Sequence, residues 1–304
     1  MDQLNMSPAS VAKASSFTKQ WHSEPYPSID PQRPELSANG KVVVITGAGT
    51  GVGQAMAVAF ATAGAKAIAV IGRRMALLKQ VAEELQRKNH NVQVLCEPAD
   101  VTQEAQIMGA FRRIADQVGP IDILCSNVAT VPRCPTIKDA DPNIILDGFK
   151  TNIIGMLHVV QAFLAYSAQG AVLINTSTGL AHGGYAPGMA AYASTKSAAL
   201  RLMSYLAIEN QHLHIVNMSP GVLIRSEASE YYAAEVYKAT GRVLVFNDEP
   251  QLSGNFAVWL ASPEAAFLKG KTVWANWDVD ELKSKTSDIE NSNLLSLGLH
   301  GVDF

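Results

Sequence analysis

No stretch of the sequence approaches the ~18 consecutive apolar residues that a membrane-spanning helix requires, so no membrane anchor is expected. A basic excess is also missing. Its 24 Lys and Arg stand against 27 Asp and Glu, for a net charge of −3, and nothing draws such a chain to nucleic acid. Cysteine is scarce: Cys96, Cys125 and Cys134 are odd in number and form no Cys-x-x-Cys pair. That argues for reduced thiols over a disulfide frame or a zinc site, and no metal is expected. The first residues carry no basic-then-apolar leader pattern, so a cytoplasmic location is the expectation. What is plentiful is apolar material, 48% of the 304 residues, ample for a large core.

Residues 1–39 carry Pro8, Pro25, Pro27, Pro31 and Pro34 with little apolar periodicity. They read as an extension, disordered at its start, whose Trp21 and Tyr26 dock onto the main domain. From residue 40 to 280 strand and helix alternate. Short apolar runs at Val42–Ile45, Ala67–Ile71, Val92–Cys96, Ile121–Ser126, Ala171–Asn175 and His214–Met218 read as buried parallel strands. Between them Gln54–Ala63, Ala76–Lys88, Gln103–Val118, Ile144–Tyr166 and Ala190–Asn210 read as helices. The helix at Ile144–Tyr166 is apolar on nearly every side, so it must be buried on every side, part of it against a second subunit. Repeating βα units in one run predict an α/β fold, a single Rossmann-type doubly wound parallel sheet with helices on both faces. Residues 223–250 break the rhythm, hold Tyr231, Tyr232, Tyr237 and Phe246, and read as a substrate lid. Residues 281–304 form a polar tail.

Two patterns carry chemistry. The first is Gly47-x-x-x-Gly51-x-Gly53, after a strand and at the start of a helix. Glycines let a ligand approach the backbone, and a helix N-terminus offers free N–H groups to a pyrophosphate. Where an NAD enzyme places a carboxylate for the ribose 2′-hydroxyl, this chain has Gly72-Arg73-Arg74. Arginines pair with a 2′-phosphate, so NADP is the expected cofactor. The second pattern is Tyr192-x-x-x-Lys196, whose members share a helix face. The ammonium is expected to lower the phenol's pKa and make a group able to move protons near neutral pH. A hydroxyl-rich turn, Asn175-Thr-Ser-Thr-Gly179, precedes it and can hold a substrate oxygen. His182, between that turn and Tyr192, either lines the substrate pocket or is a loop histidine without a role.

Taken in order, Thr46-Gly-x-x-x-Gly-x-Gly53, Asp100-Val101, Asn152, Tyr192-x-x-x-Lys196 and Pro220-Gly221 resemble the classical short-chain dehydrogenase/reductase family over roughly residues 40–275. The Pro-rich start and the tail resemble fungal members. The resemblance implies that Tyr192 is the acid/base and that Lys196 lowers its pKa and binds the nicotinamide ribose. It implies Asn152 as the anchor of a relay water, and Asp100 with Val101 at the adenine. Thr46, Gly47, Thr50, Gly51, Val52, Gly53 and Asn127 fall in the cofactor cradle, and Pro220, Gly221 and Val222 border the nicotinamide. A homodimer or homotetramer is expected.

Some positions depart from the family pattern. The loop after the fourth strand is Ser126-Asn127-Val128-Ala129, bulkier than usual. Reading forward from the fifth strand puts Thr178 at the catalytic hydroxyl with Ser177 beside it. Counting back from Tyr192 lands on Gly179, so the loop carries an extra residue and both hydroxyls stay open. Arg225 replaces an expected threonine, and Asn276-Trp277-Asp278 replaces Asp-Gly-Gly. The expected activity is NADPH-dependent carbonyl reduction, or the reverse alcohol oxidation, on a medium-sized, largely apolar small molecule, a secondary metabolite among the candidates. The alternatives are a non-redox isomerase or cyclase that keeps NADP(H) as a structural cofactor, and a sensor of NADP(H) without turnover.

Overall fold

The computed structural model describes residues 16–299 apart from 225 and 245. Seven strands run through it: β1 (Val42–Thr46), β2 (Ala67–Gly72), β3 (Gln93–Pro98), β4 (Ile121–Ser126), β5 (Ser167–Thr176), β6 (His214–Ser219) and β7 (Thr272–Trp274). All pair in parallel in one sheet of order β3-β2-β1-β4-β5-β6-β7. Sequence reading missed β7, three residues long and preceded by no strand-length apolar run.

Along β1 and β2 the side chains alternate between two cores. Val43, Ile45, Ile68 and Val70 enter one cluster, whereas Val42, Val44, Ala67 and Ala69 enter the other. Both faces are therefore covered, which is why these strands are apolar throughout. Helices α1 (Gly51–Thr62) and α2 (Met75–Lys88) follow β1 and β2, and α3 (Glu104–Val118) lies on the opposite face. The sheet order reverses between β1 and β4, and ligands of such folds bind at the carboxyl ends of the strands there.

The helix expected as Ile144–Tyr166 runs from Pro142 but is not uniform. An α-helical α4 (Pro142–Phe149) widens into a π turn at Lys150–Gly155 before α5 (Met156–Tyr166). A Cβ on Gly155 would lie 2.7 Å from Val101 Cγ2, so the turn presses on the end of β3's loop. Burial on every side is not met within one chain. Val159, Val160 and Phe163 are in the core, while Ile144, Leu146, Ile154 and Leu157 are exposed. On α6 (Ala190–Glu209), Leu202, Tyr205 and Ile208 are likewise exposed, at 42%, 61% and 71%.

The segment expected as a lid contains α7 (Glu227–Thr240), opened by a capping box between Ser226 and Ser229. Helix α8 (Pro250–Leu260) then crosses α1 so closely that a Cβ on Gly254 would meet Ala55 O at 2.5 Å. Residues 16–39 are packed, with Ile29 and Leu36 in the core. They lie along the segment after β7, where α9 (Val279–Ser284) and α10 (Thr286–Glu290) give structure to part of the polar tail. Among the described residues no helix is long and apolar enough to cross a membrane, and no His, Cys, Asp or Glu cluster could hold a metal.

Candidate active site

The cradle is built by close approach. Gly47 has φ +67°, and a Cβ there would sit 3.1 Å from both Asn127 Nδ2 and Val128 Cγ2. A Cβ on Gly53 would stand 2.4 Å from Gly47 O and 2.8 Å from Asn127 Nδ2, backbone contact that only glycine allows. Gly51, at φ +58°, faces open space. Asn127 pins the loop: its N–H donates to Thr46 Oγ1 at 3.0 Å and its Nδ2 donates to Thr46 O at 3.3 Å. Thr50 precedes α1 without capping it by its side chain, which leaves the first N–H groups for a ligand. Val52, 8% exposed, packs beneath the loop. A Gly53 with no room for a Cβ, two glycines at positive φ and an uncapped helix start fit a dinucleotide.

Arg73 and Arg74 are exposed where β2 gives way to α2, with Arg74 at the N-cap. Asp100 lies at the end of the next strand. Its burial opposes ionisation, but bonds from Thr102 N and Oγ1, both 2.9 Å, and the charges of Arg73 and Lys150 hold its carboxyl below the usual range. Val101 is buried under the π turn, and its carbonyl is 2.9 Å from His158 Nδ1.

Of the residues expected to handle protons, Asn152 is joined to the Tyr192 backbone by short bonds through Thr195. The buried amide of Asn152 accepts from Thr130 N at 2.8 Å and donates to Thr130 O and to Thr195 Oγ1, both at 2.9 Å. Thr195, which sequence reading passed over, sits inside the Tyr192-x-x-x-Lys196 motif and donates in turn to Tyr192 O at 2.8 Å. Lys196 Nζ lies 6.0 Å from the centre of the Tyr192 ring and donates to Thr176 O at 2.8 Å, which ties α6 to the end of β5. The expected lowering of the phenol does not appear in this arrangement. Burial pushes Tyr192 up to about 12 and Lys196 down to about 8, because both charged forms lose water.

A stability cost follows. Lys196 binds its proton less tightly folded than unfolded, so its penalty is complete below pH ~8 and fades as pH rises toward its unfolded pKa of 10.5. At about 1.4 kcal/mol per unit the penalty is roughly 3 kcal/mol. Lys196→Met should therefore raise the thermal midpoint at pH 7, with the gain shrinking between pH 8 and 10.5. Calorimetry that finds the same gain, or none, across that range would remove the explanation.

After β5 the two hydroxyls differ. Ser177 is 2% exposed and its Oγ has no partner among the described residues, as is true of Thr176 Oγ1. Thr178 is half-buried and its Oγ1 accepts from Leu180 N at 3.3 Å, capping a 3-10 turn at Gly179–Ala181. Opposite, Gly221 has φ +82°, and Val222 N donates to Asp248 Oδ2 at 2.7 Å. Pro220 O accepts from Ser253 Oγ at 2.7 Å. Asp248 is buried, and that burial raises its carboxyl despite bonds from Val222, Ser23 and Asn276. Sequence reading missed Asp248, whose only signal is a lone carboxylate at the end of the lid. Tyr192 shares a buried apolar cluster with Met189 and with Tyr232 and Val236 of α7, and Val131, Leu180, Tyr231 and Phe246 pack at its margin. His182 is exposed, and its Nε2 accepts from Trp274 Nε1 at 3.1 Å. Arg225 lies outside the described residues.

The fold is a doubly wound parallel sheet whose glycine-lined switch point suits a dinucleotide. Residues 41–235 match the family model described as short chain dehydrogenase. The chain is 31% identical over 292 residues to Short chain dehydrogenase/reductase nsrO of Aspergillus novofumigatus, covering 93% of this chain and 96% of that one. Short chain dehydrogenase citE of Monascus ruber is 30% identical over 292 residues, with the same coverage of 93% and 96%. Among solved structures, a short-chain type dehydrogenase/reductase from Mycobacterium marinum has a TM-score of 0.68 at 25% identity, covering 79% of this chain and 94% of that one. A short chain dehydrogenase from Salmonella enterica serovar Typhi shares the fold at a TM-score of 0.71 and 23% identity, over 83% and 99% of the two chains. The chain belongs to the short chain dehydrogenase family and resembles its fungal members. As a member it is an oxidoreductase that uses a nicotinamide cofactor.

Proposed function

We propose that this protein is an NADPH-dependent carbonyl reductase acting on a medium-sized, largely apolar ketone or quinone. The observation that carries the reading is Lys196, a buried ammonium one helical turn from Tyr192 and held by Thr176 O. An ammonium withdrawn from water at a cost to the fold has a use if it acts on the phenol and on a ribose. Bound nicotinamide supplies the two-electron chemistry. Tyr192 Oη gives its proton to the substrate's carbonyl oxygen, and Lys196 Nζ favours the phenolate left behind. Thr178, the more exposed hydroxyl, accepts from Leu180 N and keeps its own proton to donate to that oxygen. Asn152 holds Thr195 and so fixes the register of the α6 turn that carries both groups.

The NADPH preference is supported by Arg73 and Arg74. A cation at a helix N-terminus opposes the helix dipole, so two of them there suit an anion held between the helix start and the guanidinium groups. The apolar margin of Val131, Leu180 and Phe246 supports the substrate class. The exposed stripe of Leu146, Leu202, Tyr205 and Ile208 supports a homo-oligomer, which a monomeric sedimentation coefficient at micromolar concentration would exclude. With 9,10-phenanthrenequinone as the carbonyl probe and oxygen excluded, one NADP⁺ should form per quinone reduced to the dihydroxyphenanthrene. A quinone left unreduced, with no NADPH oxidised, would count against reduction and leave isomerisation or cyclisation as the reading.

A further inference from the structure

The N-terminal stretch is bound to the segment after β7 along most of its length. Trp21 bridges Trp277, His22 N donates to Asn276 O, and Asn276 Nδ2 donates back to His22 O, both at 2.8 Å. Tyr26 Oη donates to Trp277 O at 3.0 Å and accepts from Val279 N at 3.0 Å. Four aromatic rings pack in sequence between them. Phe17 lies 5.6 Å from Trp277, Trp277 stacks on Trp274 at 6.4 Å and 14°, and Trp21 flanks Trp274 at 5.8 Å.

Trp274 is where this stack meets the site. It ends β7 beside Ser219 of β6, and the neighbouring Met218 O accepts from Ser177 N at 2.7 Å. The indole leans on the turn after β5 in two ways. A Cβ on Gly179 would lie 2.2 Å from Cη2 and Cζ2 of Trp274, so the ring rests directly on the backbone one residue past Thr178. Its Nε1 donates to His182 Nε2, fixing the far end of the same turn, and the rings meet edge-on at 5.9 Å. Between those two points Gly179 O accepts from Gly183 N at 2.7 Å. The turn is braced at both ends by one side chain, itself held by a separate stretch of chain.

We propose that Trp274 is a positioning residue for the Ser177–Thr178 hydroxyl turn, acting through Gly179 and His182, with the N-terminal stretch as the brace that holds it. This rests on the reading of that turn as the group that polarises the substrate carbonyl. Trp274 touches neither the Tyr192–Lys196 pair nor the glycine cradle in any bond given above, so its loss should act on the chemical step and spare cofactor binding. Where spacing to Tyr192 leaves the hydroxyl open between Ser177 and Thr178, the turn is supported from outside by Trp274.

The test compares Trp274→Phe, His182→Gln and His182→Leu in the full chain. Phe removes the Nε1 donor and the ring edge on Gly179, Gln keeps an acceptor at residue 182, and Leu removes it. Amide exchange over residues 177–184 should quicken roughly tenfold in Trp274→Phe and in His182→Leu, with residues 42–53 unchanged. The kcat with 9,10-phenanthrenequinone should fall about 10- to 100-fold in Trp274→Phe, with KM for NADPH within about twofold, and His182→Gln should stay close to wild type. Adding Thr178→Ala to Trp274→Phe should cost little beyond either change alone, because both act on one hydroxyl. Unchanged exchange over 177–184, or losses that multiply in the double variant, would overturn the proposal. Should Trp274→Phe fail to fold, exchange in His182→Leu decides by the same criterion. Exchange does not depend on turnover, so it judges the brace even if carbonyl reduction proves to be the wrong chemistry.

Discussion

Tyr192→Phe should lower kcat for NADPH-dependent reduction of 9,10-phenanthrenequinone about a thousandfold, with NADPH affinity within a few-fold of wild type. The magnitude is that of a positioned general acid removed from its step, about 10² to 10⁴. Phe keeps the ring packed against Met189, Tyr232 and Val236, so the substitution deletes one oxygen and creates no cavity. The pKa of Tyr192, raised by burial to about 12, keeps the phenol protonated at neutral pH, as reduction requires. The reductive rate should therefore hold across neutral pH and decline on the alkaline side, where the phenol loses its proton. Oxidation, which needs the phenolate, should rise over the same range. Stopped-flow absorbance of the nicotinamide reads both. A Phe variant with near wild-type turnover would remove Tyr192 from the proton step.

Arg73→Glu combined with Arg74→Glu should reduce kcat/KM for NADPH about 100- to 10,000-fold and leave NADH use unchanged or improved. A hydrogen bond to a charged group contributes roughly 1.5–3 kcal/mol, and two of them lost at about 1.4 kcal/mol per decade give that range. Both side chains are exposed at the start of α2, so the fold should tolerate the change. Carboxylates at a helix N-terminus also suit the dipole that the arginines oppose, and the variant should melt no lower than wild type. Asp100 provides an internal control. Arg73 helps hold its carboxyl ionised, so its pKa should move up in the variant. Equal losses with NADPH and NADH would mean that the arginines do not read the 2′-phosphate.

The sheet was legible because each strand of the first half is a short apolar run between glycines or polar turns, and parallel strands covered on both faces have that composition. The cradle was legible for a related reason, since Gly47, Gly51 and Gly53 each answer a local backbone demand. Features that depend on distant partners were not. Lys196 next to Tyr192 suggested a lowered phenol, but burial, which local spacing does not report, dominates both groups. The π turn at Lys150–Gly155 ends on Gly155 packed against Val101, a contact across more than fifty positions that local pattern does not report. The ambiguity between Ser177 and Thr178 came from counting along a loop whose shape is set by Trp274, on the last strand. Asp248 carries no motif at all, and its importance lies in the backbone N–H of Val222 that it receives.

The brace between the N-terminal stretch and the segment after β7 also bears on the order of folding. Lys19 N and Gln20 N donate to the Glu281 carboxylate across separations of 262 and 261 residues. During synthesis residues 17–28 leave the ribosome long before Trp274–Glu281 exists, so their apolar rings wait without a partner while the sheet assembles. Contacts of such range close late, after the loop between them has shortened through its own structure. This stretch is thus made early and seated late, and a nascent chain stalled before residue 274 should leave it open to protease until the last strand arrives.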